Sequence, residues 1–218
     1  MSRHLQGVAD LSTFTYYPQS MRARFNRLQA KITYMTEAEK LKPAFARPRR
    51  GLFKRREYKK AKQFKVFGIT LACGAHLVCP VVHPFDSAQW VRLVRRRVGP
   101  FVRRHYPGQR CTVLLDGEKL LHTSQAKVAL QSFGIRALPN WPPDSPDLNP
   151  QENVWPWVEN RVRKDAKLTT FDKFKAGLLK IAKGYPAEGL VASVAGRLRE
   201  CIALKGGATN HRRCGAPR

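Results

Sequence analysis

The stretch Leu114–Trp157 decides the fold, because two of its acidic residues, Asp116 and Glu152, lie in contrasting local settings. It contains LLDGEKLLHTS at 114–124 and WPPDSPDLNPQENVW at 141–155. The run CTVLL at 111–115 is apolar and β-branched and is followed by Gly117, which predicts a short buried strand. Asp116 therefore follows the carboxyl end of a strand, where open α/β sheets place their ligands.

Glu152 is predicted to lie in the first turn of a helix. Asn149 is a favourable N-cap, Pro150 suits the first helical position, and apolar residues then recur with a helical period. Those apolar residues are Val154, Trp157, Val158 and Val162. A strand-end Asp and a helix-start Glu can meet at one edge of a sheet, and paired carboxylates suit a hard divalent cation such as Mg²⁺.

Each acid also has a purely local explanation. Glu152 lies three residues after Asn149 and can complete a capping box. Asp116, directly before Gly117, can simply form a turn. Local chemistry alone leaves both alternatives open.

The run from Trp141 to Trp155 resembles the signature before the last catalytic acid of mariner-type cut-and-paste transposases. Asp116 followed by His122 is similar to the second-acid motif of the same family, with Gly117 where the family usually has Asn and one extra residue before the His. The resemblance extends over residues 31–163. It implies an α/β fold with a ribonuclease-H-like mixed sheet and helices on both faces.

The resemblance also implies a DDE endonuclease, in which three carboxylates hold two Mg²⁺ or Mn²⁺ ions for phosphoryl transfer. Asp116 and Glu152 would be two of the three. His122 would support the site or contact DNA, although it can equally be an ordinary residue at a helix start. The expected partner is double-stranded DNA, with a homodimer and a nuclear location as further expectations.

The first catalytic acid of such proteins ends the first core strand, which we predict at Lys31–Thr36 from its β-branched and aromatic residues. No Asp follows this strand, so either Glu37 or Ala38 occupies the first-acid position. A Glu there would displace a metal ion, and an Ala would remove a ligand. We therefore expect metal-dependent cleavage to be very weak or absent.

Composition restricts the function further. The 218 residues suffice for one domain with extensions, and 41 Lys and Arg against 15 Asp and Glu give a net charge of +26. Such a charge favours a polyanionic partner, among which nucleic acid is the commonest. The five cysteines form no CxxC pair, which argues against a zinc site and against a disulfide framework.

Two basic segments are predicted to contact the DNA backbone. The first is RPRRGLFKRREYKKAKQFK at 47–65, where aromatic residues alternate with cations, although it can also be a solvated hairpin. The second is a helix after Asp86 or Ser87 with arginines on its outer face. The predicted nucleic-acid contacts are Arg49, Arg50, Lys54, Arg55, Arg56, Lys59, Lys60, Arg95, Arg96, Arg97 and His122.

The predicted organisation has four parts. Residues 1–30 form a basic lead-in, with an organellar transit peptide as an alternative, and residues 31–165 form the ribonuclease-H-like domain. Residues 166–204 form two helices, and residues 205–218 form a basic disordered tail. The lead-in has no room for paired helix-turn-helix modules, so DNA binding is expected to be weakly sequence-selective. Alternatives to the nuclease are a non-catalytic nucleic-acid-binding module and an RNA-associated protein of a ribosome or organelle.

Overall fold

A computed structural model of the protein describes residues 5–16, 62–82, 84–139, 141, 145, 147–207 and 209. Its strands are β1 Leu5–Tyr16, β2 Lys62–Leu71, β3 His76–Val81, β4 Cys111–Leu115 and β5 Ile135–Ala137. They form one sheet in the order β3-β2-β1-β4-β5. β1 is antiparallel to β2 and parallel to β4. β3 is antiparallel to β2, and β5 is parallel to β4.

The described helices follow β3, β4 and β5. They are α1 Ser87–Leu93, α2 Gly99–His105, α3 Ser124–Gln131, α4 Gln151–Lys164, α5 Phe171–Lys183 and α6 Ser193–Ala203. A π-helical turn, Val94–Val98, joins α1 to α2, and a 3-10 turn, Lys119–His122, precedes α3. Asp86 caps α1 by accepting the backbone N–H of Gln89 at 2.7 Å, and Thr123 caps α3 through its side chain. None of these helices is long and apolar enough to cross a bilayer.

The alternation of side chains along β1 builds a core on each face of the sheet. On the first face, Val8 and Phe14 pack in one cluster with residues of α4, α5 and α6. On the second face, Ala9 and Leu11 pack with residues of α1, α2 and α3. The predicted mixed α/β sheet with helices on both faces is thereby confirmed, and the two C-terminal helices pack on one of these faces.

The predicted N-terminal boundary is wrong. Leu5–Tyr16 lies inside the segment that the sequence indicates as a lead-in, yet it forms the central strand of the sheet. It pairs with β2 along Gly7–Tyr16 and with β4 along Leu5–Ala9. The strand predicted at Lys31–Thr36 lies outside the described residues.

The predicted disorder of the C-terminal tail is also wrong at one residue. Thr209 is buried, and both its backbone N–H and its hydroxyl donate to Oδ2 of Asp147, at 3.0 and 3.1 Å. The buried guanidinium of Arg197 donates to the carbonyl of Asp147 at 2.8 Å. The segment after α5 therefore anchors the loop that leads into α4.

Because β1 is the central strand, we expect truncation of its core side chains to lower the free energy of unfolding strongly. Phe14 is 6% exposed, so Phe14→Ala is expected to lower the free energy of unfolding by about 3–5 kcal/mol. The exposed neighbour Thr13 provides the control, because Thr13→Ala should change it by less than about 0.5 kcal/mol. Urea unfolding of both variants tests this, and equal small effects would mean that β1 is not part of the core.

Candidate active site

Asp116 lies at the carboxyl end of β4, as predicted. Its backbone N–H donates to the carbonyl of Ala9 at 3.2 Å, which ties the turn to β1. One carboxylate oxygen accepts the backbone N–H of Gly117 at 2.7 Å. The His122 ring donates from Nε2 to the Asp116 carbonyl at 2.7 Å, so this His supports the backbone of the turn.

Glu152 lies in the first turn of α4, also as predicted. Asn149 closes the start of this helix: its side-chain oxygen accepts the backbone N–H of Gln151 at 3.1 Å, and its carbonyl accepts that of Glu152 at 3.2 Å. A carboxylate in the first turn is favourable, because the helix dipole is positive there. The Glu152 side chain is half-buried.

A third acid, Asp10, lies in the middle of β1 and is fully buried. It lies two positions after Val8 in the strand, so it faces the same core as α4. Trp155 of α4 donates its indole N–H to Asp10 Oδ2 at 2.8 Å. The other oxygen, Oδ1, has no hydrogen-bond partner among the described residues.

The three acids interact electrostatically. Burial, and then the negative charges of Glu152 and Asp116, raise the pKa of Asp10 to about 9, against the weaker opposing effect of the Trp155 hydrogen bond. Without a cation, the Asp10 carboxyl is therefore neutral at pH 7. β1, β4 and α4 thus bring three carboxyl groups to one end of the first face of the sheet.

The chemistry of this site suits a divalent cation. Carboxylate oxygens are the preferred ligands of Mg²⁺ and Mn²⁺, and a buried oxygen without a partner is available on Asp10. A double positive charge would also relieve the repulsion among the three acids. No three His, Cys, Asp or Glu side chains in the described part of the chain already converge as a metal-binding group, so a cation would have to draw these carboxylates together.

A second polar layer lies behind the acids. The Thr70 hydroxyl donates to the Gln151 side-chain oxygen at 2.9 Å and accepts from His76 Nδ1, 2.7 Å away. Burial lowers the pKa of His76 to about 4, so the ring is neutral at physiological pH. A Cβ atom on Gly68 would lie 2.5 Å from the Trp155 ring, so only glycine lets α4 approach β2 this closely.

Exposed arginines line a groove beside the edge strand β3. Arg92, Arg96 and Arg97 surround a cavity of about 350 Å³ with an apolar floor that includes Val81. No carboxylate of the described residues pairs with these three arginines or with Arg95. Val81 pairs in register with Lys65, whose Nζ lies 3.6 Å from Glu118, so the groove and Asp116 lie at the same end of the sheet.

The structure therefore covers only part of the predicted site. It describes Asp116, Glu152, His122 and the three arginines at 95–97, which are exposed on the turn between α1 and α2. The remaining predicted residues lie outside the described part of the chain: Glu37, Arg49, Arg50, Lys54, Arg55, Arg56, Lys59 and Lys60. Asp10, which the sequence did not identify, is the residue that the fold adds.

Comparison with known proteins identifies the family of the chain. The sequence model of the DDE superfamily endonucleases matches residues 34–175, and the chain belongs to that family. No curated protein sequence matches the chain.

Several similar solved structures are of the mariner transposase Mos1. A Mos1 paired end complex with Mg has a TM-score of 0.61 at 15% identity, with 96% of this chain and 58% of that chain covered. The Mos1 catalytic domain has a TM-score of 0.51 at 13% identity, with coverage of 89% and 100%. At such low identity the likeness shows the fold, which is the predicted ribonuclease-H-like one. The chain therefore spans 58% of the length of the Mos1 chain in the paired end complex.

The match to the family model begins at Tyr34, after β1. Asp10 therefore lies outside the matched residues, while Glu37 lies inside them but outside the described structure. Two residues thus compete for the role of the first acid. Among the described residues, only Asp10 occupies a central strand beside the other two acids.

The buried Asp10 makes the stability of the metal-free protein depend on pH. Its pKa of about 9 lies above the ordinary 3.8, so the folded state keeps a proton that the unfolded chain releases between these values. The stabilisation is complete below pH 3.8 and is lost as the pH rises toward 9. We expect the free energy of unfolding without metal to fall between about pH 5 and about pH 8, by at most about 1.4 kcal/mol per pH unit. The Tm should fall with it.

Asp10→Asn should flatten this dependence, because an amide does not titrate and can still accept the Trp155 N–H. Thermal unfolding in the presence of a chelator, measured for both proteins across this pH range, tests the prediction. Parallel pH dependences for the variant and the unaltered protein would show that Asp10 has no such raised pKa.

Proposed function

We propose that this chain is a DNA endonuclease domain in which Asp10, Asp116 and Glu152 hold divalent magnesium or manganese. The observation that supports the proposal is the buried, unpaired oxygen of Asp10 beside two further carboxylates. In this proposal Asp10, and neither Glu37 nor Ala38, is the first acid. The expectation of impaired cleavage loses its basis, because that expectation assumed that no Asp was available.

The side chains of the site each have a distinct task. Asp10 offers a preformed oxygen from a strand that cannot shift without breaking two strand pairings. Asp116 is anchored through its own backbone, and His122 holds the turn that carries it. Bound ions would supply the Lewis-acid chemistry of an in-line phosphoryl displacement.

DNA is the substrate that the charges favour. The net charge of +26 attracts polyanions in general, and the arginine groove opens at the same end of the sheet as Asp116. Related Mos1 structures include a paired-end complex with a transposon end and a strand transfer complex. We infer that this chain takes double-stranded DNA and that strand transfer is a candidate reaction, whereas a homodimer and a nuclear location stay predictions.

A non-catalytic nucleic-acid-binding module is the second candidate. It would use the same basic surface but would have no need for three interacting carboxylates. The unpaired Asp10 oxygen favours the nuclease, because a purely structural buried carboxyl would normally have a hydrogen-bond partner for each oxygen.

Nicking of supercoiled DNA with Mg²⁺ or Mn²⁺ tests the assignment of the first acid. We expect Asp10→Asn, Asp116→Asn and Glu152→Gln each to lower the rate by more than about 100-fold, since even outer-shell partners of a metal cost about 10–100-fold. Glu37→Gln is the matched control, and it should retain activity.

The same assay separates the alternatives. Cleavage that survives Asp10→Asn but is lost in Glu37→Gln would return the first-acid role to Glu37. DNA binding without cleavage by the unaltered protein, at every metal concentration, would leave the non-catalytic module as the function.

The arginine groove predicts that binding of duplex DNA depends on salt concentration and does not depend on base sequence. Replacing Arg92, Arg96 and Arg97 together by Ala should weaken binding to all duplexes alike and reduce the slope of log K against log salt by about 2–3, at about 0.9 per phosphate contact. The matched control removes three exposed lysines of α5 on the other face, Lys173, Lys180 and Lys183. Fluorescence anisotropy with two unrelated duplexes measures both; equal losses in the two triple variants would show that only net charge matters.

A further inference from the structure

We propose that Trp155 is a positioning residue for the metal site: its indole fixes one oxygen of Asp10 and leaves the other oxygen to a cation. The inference rests on the proposed function, because it needs Asp10 to be a metal ligand. It concerns a residue that touches neither DNA nor metal in this account. Trp155 would act only through the orientation of the first acid.

The position of Trp155 on α4 couples two of the acids. It follows Glu152 by three residues, so both side chains lie on neighbouring parts of one helix face. Glu152 offers its own carboxylate, while Trp155 donates to Asp10 Oδ2 at 2.8 Å across the interface with β1. This hydrogen bond therefore links the helix that carries the third acid to the central strand that carries the first.

The indole itself is held on several sides. Phe14 packs against it edge-to-face, with ring centroids 5.9 Å apart and planes at 79°. Gly68, which pairs with Asp10 in register, leaves room for the ring because it has no Cβ. The buried bond from Thr70 to Gln151 holds the preceding turn of the helix. A donor fixed in this way presents a single orientation of the carboxylate, as a preorganised site requires.

A second buried tryptophan, Trp90, serves as a control that distinguishes the hydrogen bond of Trp155 from the packing of its ring. Trp90 on α1 is fully buried in the other core, and its indole N–H has no partner among the described residues. Replacing either tryptophan by Phe removes a similar ring volume. Only the replacement of Trp155 removes a hydrogen bond to Asp10.

Calorimetric titration of Mn²⁺ into the full chain without DNA tests this role independently of cleavage. Trp155→Phe is expected to weaken Mn²⁺ binding by about 10–100-fold, the usual cost of losing an outer-shell partner. Trp90→Phe should leave the affinity within about twofold, because it removes no bond to a ligand. In cleavage assays, Trp155→Phe should raise the Mn²⁺ concentration for half-maximal rate and keep most of the rate at saturation.

Asp10→Asn distinguishes failure of this inference from failure of the proposed function. If the unaltered protein binds no Mn²⁺, or if Asp10→Asn binds it equally well, the metal site and the inference both fall. If Asp10→Asn abolishes binding while Trp155→Phe matches the unaltered protein, only the positioning role is overturned.

A second variant covers the case in which Trp155→Phe does not fold. Gly68→Ala introduces a Cβ that would lie 2.5 Å from the indole, which displaces the ring and keeps the donor. A drop in Mn²⁺ affinity is expected for it as well. An unchanged affinity in a folded Gly68→Ala protein would overturn the positioning role.

Discussion

The buried carboxyl group of Asp10 is the constraint on which the site depends. A carboxylate in the apolar interior between β1 and α4 is costly unless it is protonated, hydrogen-bonded or paired with a cation. The fold supplies one donor, from Trp155, and brings the negative charges of Glu152 and Asp116 close enough to raise the pKa of Asp10. A strand at the centre of a core would not keep this arrangement for stability alone, since an apolar residue there would pack at lower cost.

The elements around the second and third acids could be predicted from the sequence, because their signals are local. The run CTVLL before Asp116 and the cap at Asn149 before Glu152 both act within a few residues. The mixed sheet was implied by the resemblance to mariner-type transposases. The meeting of Asp116 and Glu152 at one edge is an expectation from topology, and in the structure the charges of both acids raise the pKa of the buried Asp10.

The first acid could not be predicted in this way. The strand LQGVADLSTFTY mixes Gly, Asp and Ser with apolar residues, so its β signal is weak, and the only acid of the first 30 residues lies within the segment predicted as a basic lead-in. The alternation of its side chains between two cores arises only because β2 and β4, which are distant in sequence, pair with its two edges. The hydrogen bonds of Thr70 to Gln151 and of Thr209 to Asp147 are likewise long-range, and no local pattern indicates them.

The central claim is that Asp10, Asp116 and Glu152 hold a divalent cation. The most direct measurement is a crystal structure of the protein grown with Mn²⁺ and recorded at a wavelength that gives manganese anomalous scattering. The account predicts an anomalous peak within ligand distance of Asp10 Oδ1 and of at least one of the other two carboxylates. A manganese peak bound by Glu37 with Asp10 turned away, or no peak within ligand distance of Asp10 at saturating Mn²⁺, would contradict it.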